Sequence, residues 1–222
     1  MHIPDGFIDV PTSAAFGAAS VAGVAASLRG ARQQLDERAA PLAGLVAVFI
    51  FAVQMLNFPV GAGTSGHLMG GALAMVLVGP HAAVLAVTVV LMVQALMFAD
   101  GGLVALGLNV FNLSIVGVWV PYLVYLLAKS VLPKTRASVV TASFIAALVS
   151  VPIAASAFVV QFWLGGSDAF TVGQVFTAMF GTHVVIGIGE AVITALTVSA
   201  VLSSRQDLVF GWKPVTVGAA SR

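Results

Sequence analysis

Seven runs of apolar residues leave this chain few ways to fold. They cover residues 11–28, 41–57, 67–79, 81–99, 103–128, 137–163 and 172–203. About 20 apolar residues carry an α-helix across the hydrocarbon of a bilayer. The runs are continuously apolar and rich in Ala, Leu and Val; they do not alternate as the strands of a membrane barrel do. The third is short, because Gly79-Pro80 stops it, and is expected to lie tilted or half-buried. Only 8% of the 222 residues are charged, against roughly 25% in a soluble domain. So little charge cannot cover a globular surface, which excludes a soluble enzyme, a nucleic-acid-binding protein and a disordered tail. The expected fold is all-α: a polytopic bundle of seven transmembrane helices, forming a single membrane-embedded domain over residues 1–222.

The placement of charge gives an orientation. Arg29, Arg32 and Arg38 fall between runs one and two, Lys129, Lys134 and Arg136 between five and six, and Arg205, Lys213 and Arg222 after seven. With seven crossings all of these lie on one side, which the positive-inside rule makes cytoplasmic. The N-terminus is then outside and the C-terminus inside. Asp5, Asp9, Asp100 and Asp168 fall on the other side without any Lys or Arg. They either form a negative face that concentrates cations or are acids left where bases are excluded. No Lys or Arg precedes the first run, so it reads as a retained helix and not as a signal peptide. Ala14, Ala18, Ala22 and Ala26 make a smooth stripe on that helix, repeated by Ala43 and Ala47 on the next. Such stripes let backbones approach closely. Packing within the bundle is the expected use; a docking face for another membrane subunit is the alternative.

The absence of Cys removes thiolate sites and disulfides, and no Walker A pattern is present for ATP. Metal chemistry therefore rests on four histidines. His81, after Gly79-Pro80, reads as a residue of a short cytoplasmic turn. His183, early in the last run, is expected to be mainly structural. His2 differs, because a bulky second residue hinders removal of Met1. The α-amine of Met1, the backbone nitrogen of His2 and His2 Nδ1 can close a five- and a six-membered ring around one ion. The amide proton must leave, so binding releases protons and weakens in acid. Planar nitrogen ligation suits Ni(II), Cu(II) or low-spin Co(II). His67, at the end of a Gly- and Pro-rich loop on the same side, supplies the fourth nitrogen.

The opening Met1-His2-Ile3-Pro4-Asp5-Gly6-Phe7 and the stretch Asn57-Phe58-Pro59…Gly63-Thr64-Ser65-Gly66-His67-Leu68-Met69-Gly70 closely resemble the cobalt/nickel substrate-binding membrane subunits of energy-coupling factor transporters, the CbiM/NikM family. Phe98-Ala99-Asp100-Gly101-Gly102 is similar to that family's loop after the fourth span. The resemblance implies a transporter subunit that is not an enzyme, with Met1, His2 and His67 as metal ligands and Co(II) or Ni(II) as cargo, and no covalently bound cofactor. It further implies a CbiQ-like membrane coupling subunit, CbiO-like ATPase subunits and a small CbiN-like accessory membrane subunit, in a bacterial inner membrane. A chain without the accessory subunit fused at its C-terminus points to cobalt over nickel.

Inside the runs, Glu190 stands two turns from His183 on one helix face. It is expected either to orient a liganding histidine or the loop, or to sit protonated against a Ser, Thr or Asn. Ser65, His183 and Glu190 are thus the candidates for supporting the ligands. Gln54, Gln94, Asn109, Asn112 and Gln161 are expected to make interhelical hydrogen bonds, and the scattered Met residues to pack. Two rival functions remain. Gly63-Thr64-Ser65-Gly66 matches the G-x-S-G of rhomboid-type intramembrane proteases, with His183 as a conceivable base for Ser65. A passive metal channel would need no ATPase partners.

Overall fold

In the computed structural model the described residues are 1–34 and 39–212. Arg38, Lys213 and Arg222 of the charge pattern lie outside them. Among the described residues the regular structure is helical apart from one small hairpin. Helix α1 spans Val10–Gln34 and α2 Ala39–Gln54. Strands β1 (Phe58–Gly61) and β2 (Thr64–Gly66) pair antiparallel, Phe58 opposite Gly66 and Pro59 opposite Ser65. Then come α3 (Gly71–Val78), α4 (Pro80–Phe98), α5 (Leu106–Val131), α6 (Arg136–Gly165) and α7 (Val172–Ser204). Five of these, α1 and α4 to α7, are long and apolar enough to cross a membrane.

The second and third runs depart from simple spans. Helix α2 has 16 residues, and its run ends in the hairpin at Phe58. Helix α3 has only 8, about 12 Å of rise. It starts at mid-depth, where Glu190, in the middle of α7, meets Met69 and Gly70. It ends at Gly79, whose N–H donates to Met75 and whose positive φ of 81° turns the chain into α4. The third run is therefore a loop that enters the bundle, followed by half a helix. Irregular backbone at that depth is tolerated only when protein satisfies it. His81 is accordingly not a turn residue: it lies in the first helical turn of α4, its ring against Gly30 and edge-on to Trp119 at 5.1 Å.

Proline and glycine together set two helix contacts. Pro121 in α5 has no N–H for the carbonyl of Gly117, four residues back. That carbonyl faces Gly71 of α3, where a Cβ would lie 2.2 Å from it. Pro152 in α6 likewise frees the carbonyl of Leu148, and Gly187 of α7 packs on it closely, a Cβ there lying 3.0 Å from that oxygen. Upstream of Pro121, residues Val110–Val116 adopt a π-helical turn.

The alanine stripe of α1 faces away from the bundle: Ala14, Ala18, Ala22 and Ala26 are all exposed. The packed face carries Ser13, Ser20 and Ser27, seven residues apart and buried. Ser20 Oγ donates to the carbonyl of Gly107 at 2.7 Å, and Gly107 meets Gly17 so closely that a Cβ there would lie 2.4 Å from the Gly17 Cα. Ala43 and Ala47 of α2 do pack on the core.

The helices leave two distinct ends. One gathers residues 1–9, the hairpin, the 99–105 turn and the 165–171 connection. The other brings Gly30 to His81, Phe210 to Gly79, and Arg136 to Gln206.

Candidate metal site

The amino-terminal segment runs into the first of these ends and is held along its length. Asp9 caps α1 by accepting from Thr12 N at 2.8 Å, while its own N–H donates to Gly165. Phe7 packs among Phe158, Phe162 and Phe170. The Asp5 carboxylate accepts from the N–H groups of Leu103, Val104 and Ala105 at 2.8–3.2 Å. Ile3 donates its N–H to Asn109 Oδ1 at 2.7 Å and accepts from Asn109 Nδ2 at 3.2 Å and from Gly102 N at 2.8 Å. These bonds press residues 1–3 into the interior, where Met1 and Ile3 are fully buried.

The α-amine of Met1 ends on the hairpin. It donates to the carbonyl oxygen of Ser65, and to Ser65 Oγ at 3.1 Å. Burial lowers its pKa from 8.0 to about 4, against the pull of Asp100. At neutral pH the amine is thus uncharged. Its two N–H groups have acceptors and its lone pair is left over.

His67 follows β2 and is completely buried. Its Nδ1 meets the carbonyl of Leu68 at 2.9 Å, which makes Nδ1 the protonated nitrogen and leaves Nε2 with a lone pair and no partner. His2 stacks on it, ring centroids 4.5 Å apart and 19° between planes. His2 Nδ1 lies 3.0 Å from Asp100 Oδ1, and the Gln94 side chain approaches the same ring. Burial lowers the His2 pKa, with Asp100 opposing it. For Asp100 burial alone would raise the pKa, but His2 and the amine outweigh it and hold the carboxyl low.

The turn that carries His67 is fixed from two helices. Glu190 of α7 accepts from Met69 N at 2.6 Å and Gly70 N at 2.9 Å, and Gln54 of α2 donates to the Met69 carbonyl at 2.7 Å. Glu190 thus binds main chain of the loop, and not a Ser, Thr or Asn side chain. His183 is buried one helical stretch away, with Nδ1 on the Met179 carbonyl at 2.7 Å and Nε2 unpartnered. Ser65 and His183 do not pair: each is engaged elsewhere, Ser65 Oγ by the amine of Met1.

Met1, His2, His67 and Ser65 therefore meet at one place, with Glu190 behind the loop. Among the described residues no three His, Asp or Glu side chains gather as a metal-binding group. Asn109 and Gln54, expected to bond between helices, bond instead to main chain of Ile3 and Met69. Asn112 does bond across helices, to Gln161 at 2.7 Å, whereas the Gln94 side chain approaches the His2 ring. A polar side chain in an apolar run was the available signal, and it gives no partner. Asp100 was visible as one acid of an outer set and within the 98–102 stretch, with no role assigned to it.

A helical membrane bundle with its own amino terminus buried against two imidazoles is the architecture of a metal-handling membrane protein. The chain belongs to the CbiM family, described as the cobalt uptake substrate-specific transmembrane region, which matches residues 2–208. It is 41% identical over 211 residues to a protein of Archaeoglobus fulgidus named, provisionally, as a fused nickel transport protein NikMN, covering 94% of this chain and 68% of that one. It is 32% identical over 218 residues to the cobalt transport protein CbiM of Sorangium cellulosum, covering 94% of each. A crystal structure of a transition metal transporter superposes with a TM-score of 0.85 at 32% identity, covering 91% of this chain and 93% of that one. The chain is thus a CbiM-type membrane protein of cobalt/nickel transport.

Proposed function

We propose that this protein is the substrate-binding membrane subunit of an ATP-driven Co(II) or Ni(II) uptake transporter. The ion is the cargo. It is held by the α-amine of Met1, the backbone nitrogen and Nδ1 of His2, and Nε2 of His67. The observation that carries the reading is the buried amine of Met1: it donates to both the carbonyl and the Oγ of Ser65, and it shares its site with an imidazole whose Nε2 has no partner. An amine buried in this way has no structural use for its lone pair, and a late first-row ion does.

Ser65 supports the amine, Glu190 holds the loop that bears His67, and His183 stands behind the ligands. His2 Nδ1 leaves Asp100 for the ion. In this reading the 64–70 loop with α3 counts as a crossing, giving seven, with the N-terminus outside and the basic loops in the cytoplasm. Capture is then from outside and release inward, driven by CbiQ-like coupling and CbiO-like ATPase subunits of a bacterial inner membrane, with a CbiN-like accessory subunit. The fused name of the Archaeoglobus relative supports the last of these.

The test is metal analysis of the purified chain with an untagged start. One equivalent of Ni(II) or Co(II) is expected in the wild type and none in His67→Ala. Equal metal content in the two overturns the assignment.

A further inference from the structure

Asp100 occupies a position that the chelate itself does not explain. A cavity of about 510 Å³ opens at the amino-terminal end, lined among others by His2, Asn57, Thr64, Ser65, Asp100 and Gly101. Histidine apart, Asp100 is the one ionisable side chain in that lining. Its side chain is 15% exposed, while that of His2, directly behind it, is 3% exposed. The more exposed carboxylate thus stands at the cavity beside the buried His2 ring, its Oδ1 3.0 Å from Nδ1.

The neighbouring acids are engaged in other ways. Asp5 has three N–H donors and Asp9 caps a helix. Asp100 has a long 3.3 Å contact from Asn57 Nδ2 to Oδ2, and the approach of His2 to Oδ1. Its position is rigid: Ala99 and Gly101 on either side are both left-handed, with φ of 53° and 93°, and its N–H donates to the Gln94 carbonyl at 3.1 Å. Strained turns held in this way cluster at working sites.

A hydrated dication gains nothing at a distance from buried, neutral nitrogens. It is drawn to a carboxylate, which also accepts hydrogen bonds from its bound water. A carboxylate oxygen also suits Mg(II), Ca(II) and Mn(II), so such a group attracts dications with little selection. We propose that Asp100 is the entry ligand: it receives the hydrated divalent ion from the cavity before the amino-terminal nitrogens take it, and selection happens only at those nitrogens. This rests on the reading of Met1, His2 and His67 as the metal site.

The experiment is stopped-flow binding of Ni(II) to the purified, untagged-start chain. Asp100→Asn is expected to slow association by about tenfold or more at low salt and to flatten its salt dependence, with dissociation changing less than twofold. Asp100→Glu restores association. Millimolar Mg(II) slows association in the wild type and leaves Asp100→Asn unaffected. The proposal is overturned if Asp100→Asn associates like the wild type, if its loss lies in dissociation, or if Mg(II) has no effect on the wild type. A wild type that binds no Ni(II) overturns the chelate as well, so the two failures are told apart.

Discussion

Asn109 grips the main chain of Ile3 from both sides, accepting its N–H at 2.7 Å and donating to its carbonyl at 3.2 Å across 106 residues of sequence. The pair fixes the depth to which residues 1 and 2 enter the bundle. Asn109→Ala leaves a buried N–H and carbonyl with fewer partners, at a cost of about 1–3 kcal/mol. Metal affinity should fall about 10–100-fold, as for other groups that orient ligands. Isothermal titration with Ni(II), beside a thermal melt of the apo protein, checks both; unchanged affinity in a destabilised variant removes the positioning role.

The buried amine gives a proton count. Its pKa of about 4 means that it brings no proton to be displaced at pH 7. Metal binding should therefore release about one proton, from the His2 amide, where an ordinary exposed terminus near its usual value would add most of a second. Titration in buffers of different ionisation enthalpy measures the number. Nα-acetylation or an added residue before Met1 removes the donor and should abolish binding.

The same shift has a sign for stability. A base whose pKa is lowered on folding binds protons more tightly when unfolded. Its contribution is complete above about pH 8 and is lost as pH falls from 8.0 towards about 4. Apo protein should thus lose stability over that range, and the Nα-acetylated form should show a shallower slope in denaturation profiles. Parallel slopes would remove the amine as the cause.

Glu190→Gln replaces one of two acceptors by a donor facing an N–H. The Met69–Gly70 turn loses one of its two side-chain hydrogen bonds and leaves an N–H unpaired, with an expected cost of about 1–3 kcal/mol. The d–d spectrum of bound Cu(II) should shift as His67 moves, and Gln54→Ala, which frees only the Met69 carbonyl, should shift it less. An unchanged spectrum in Glu190→Gln shows that the loop holds His67 without it.

The seam between α1 and α5 predicts opposite outcomes for two small residues. Gly107→Ala sets a methyl against the Gly17 backbone, and overpacking of this kind costs about 1–3 kcal/mol. Ala22→Leu adds bulk to an exposed face and should change the stability of the isolated chain by less than about 0.5 kcal/mol. Thermal melts in detergent compare them.

What the residues alone determined was class. Long charge-poor runs admit only a membrane helix bundle, because that depends on composition, whereas a Met-His start and a distant loop histidine only offer nitrogen donors. Tertiary structure decided facing, depth and partnership. Helices apolar all round carry no periodic mark of inside and outside, so the alanine stripe of α1 was expected to pack inward, whereas it faces out and the serines pack. The third run is apolar throughout, yet only half of it is helix, because Glu190 and Gln54 supply the hydrogen bonds that let the rest remain a loop at mid-depth. Those partners lie up to 121 residues away, as do the contacts that set Asp100 before His2. Such pairings follow from how the helices pack in three dimensions, which no local pattern encodes.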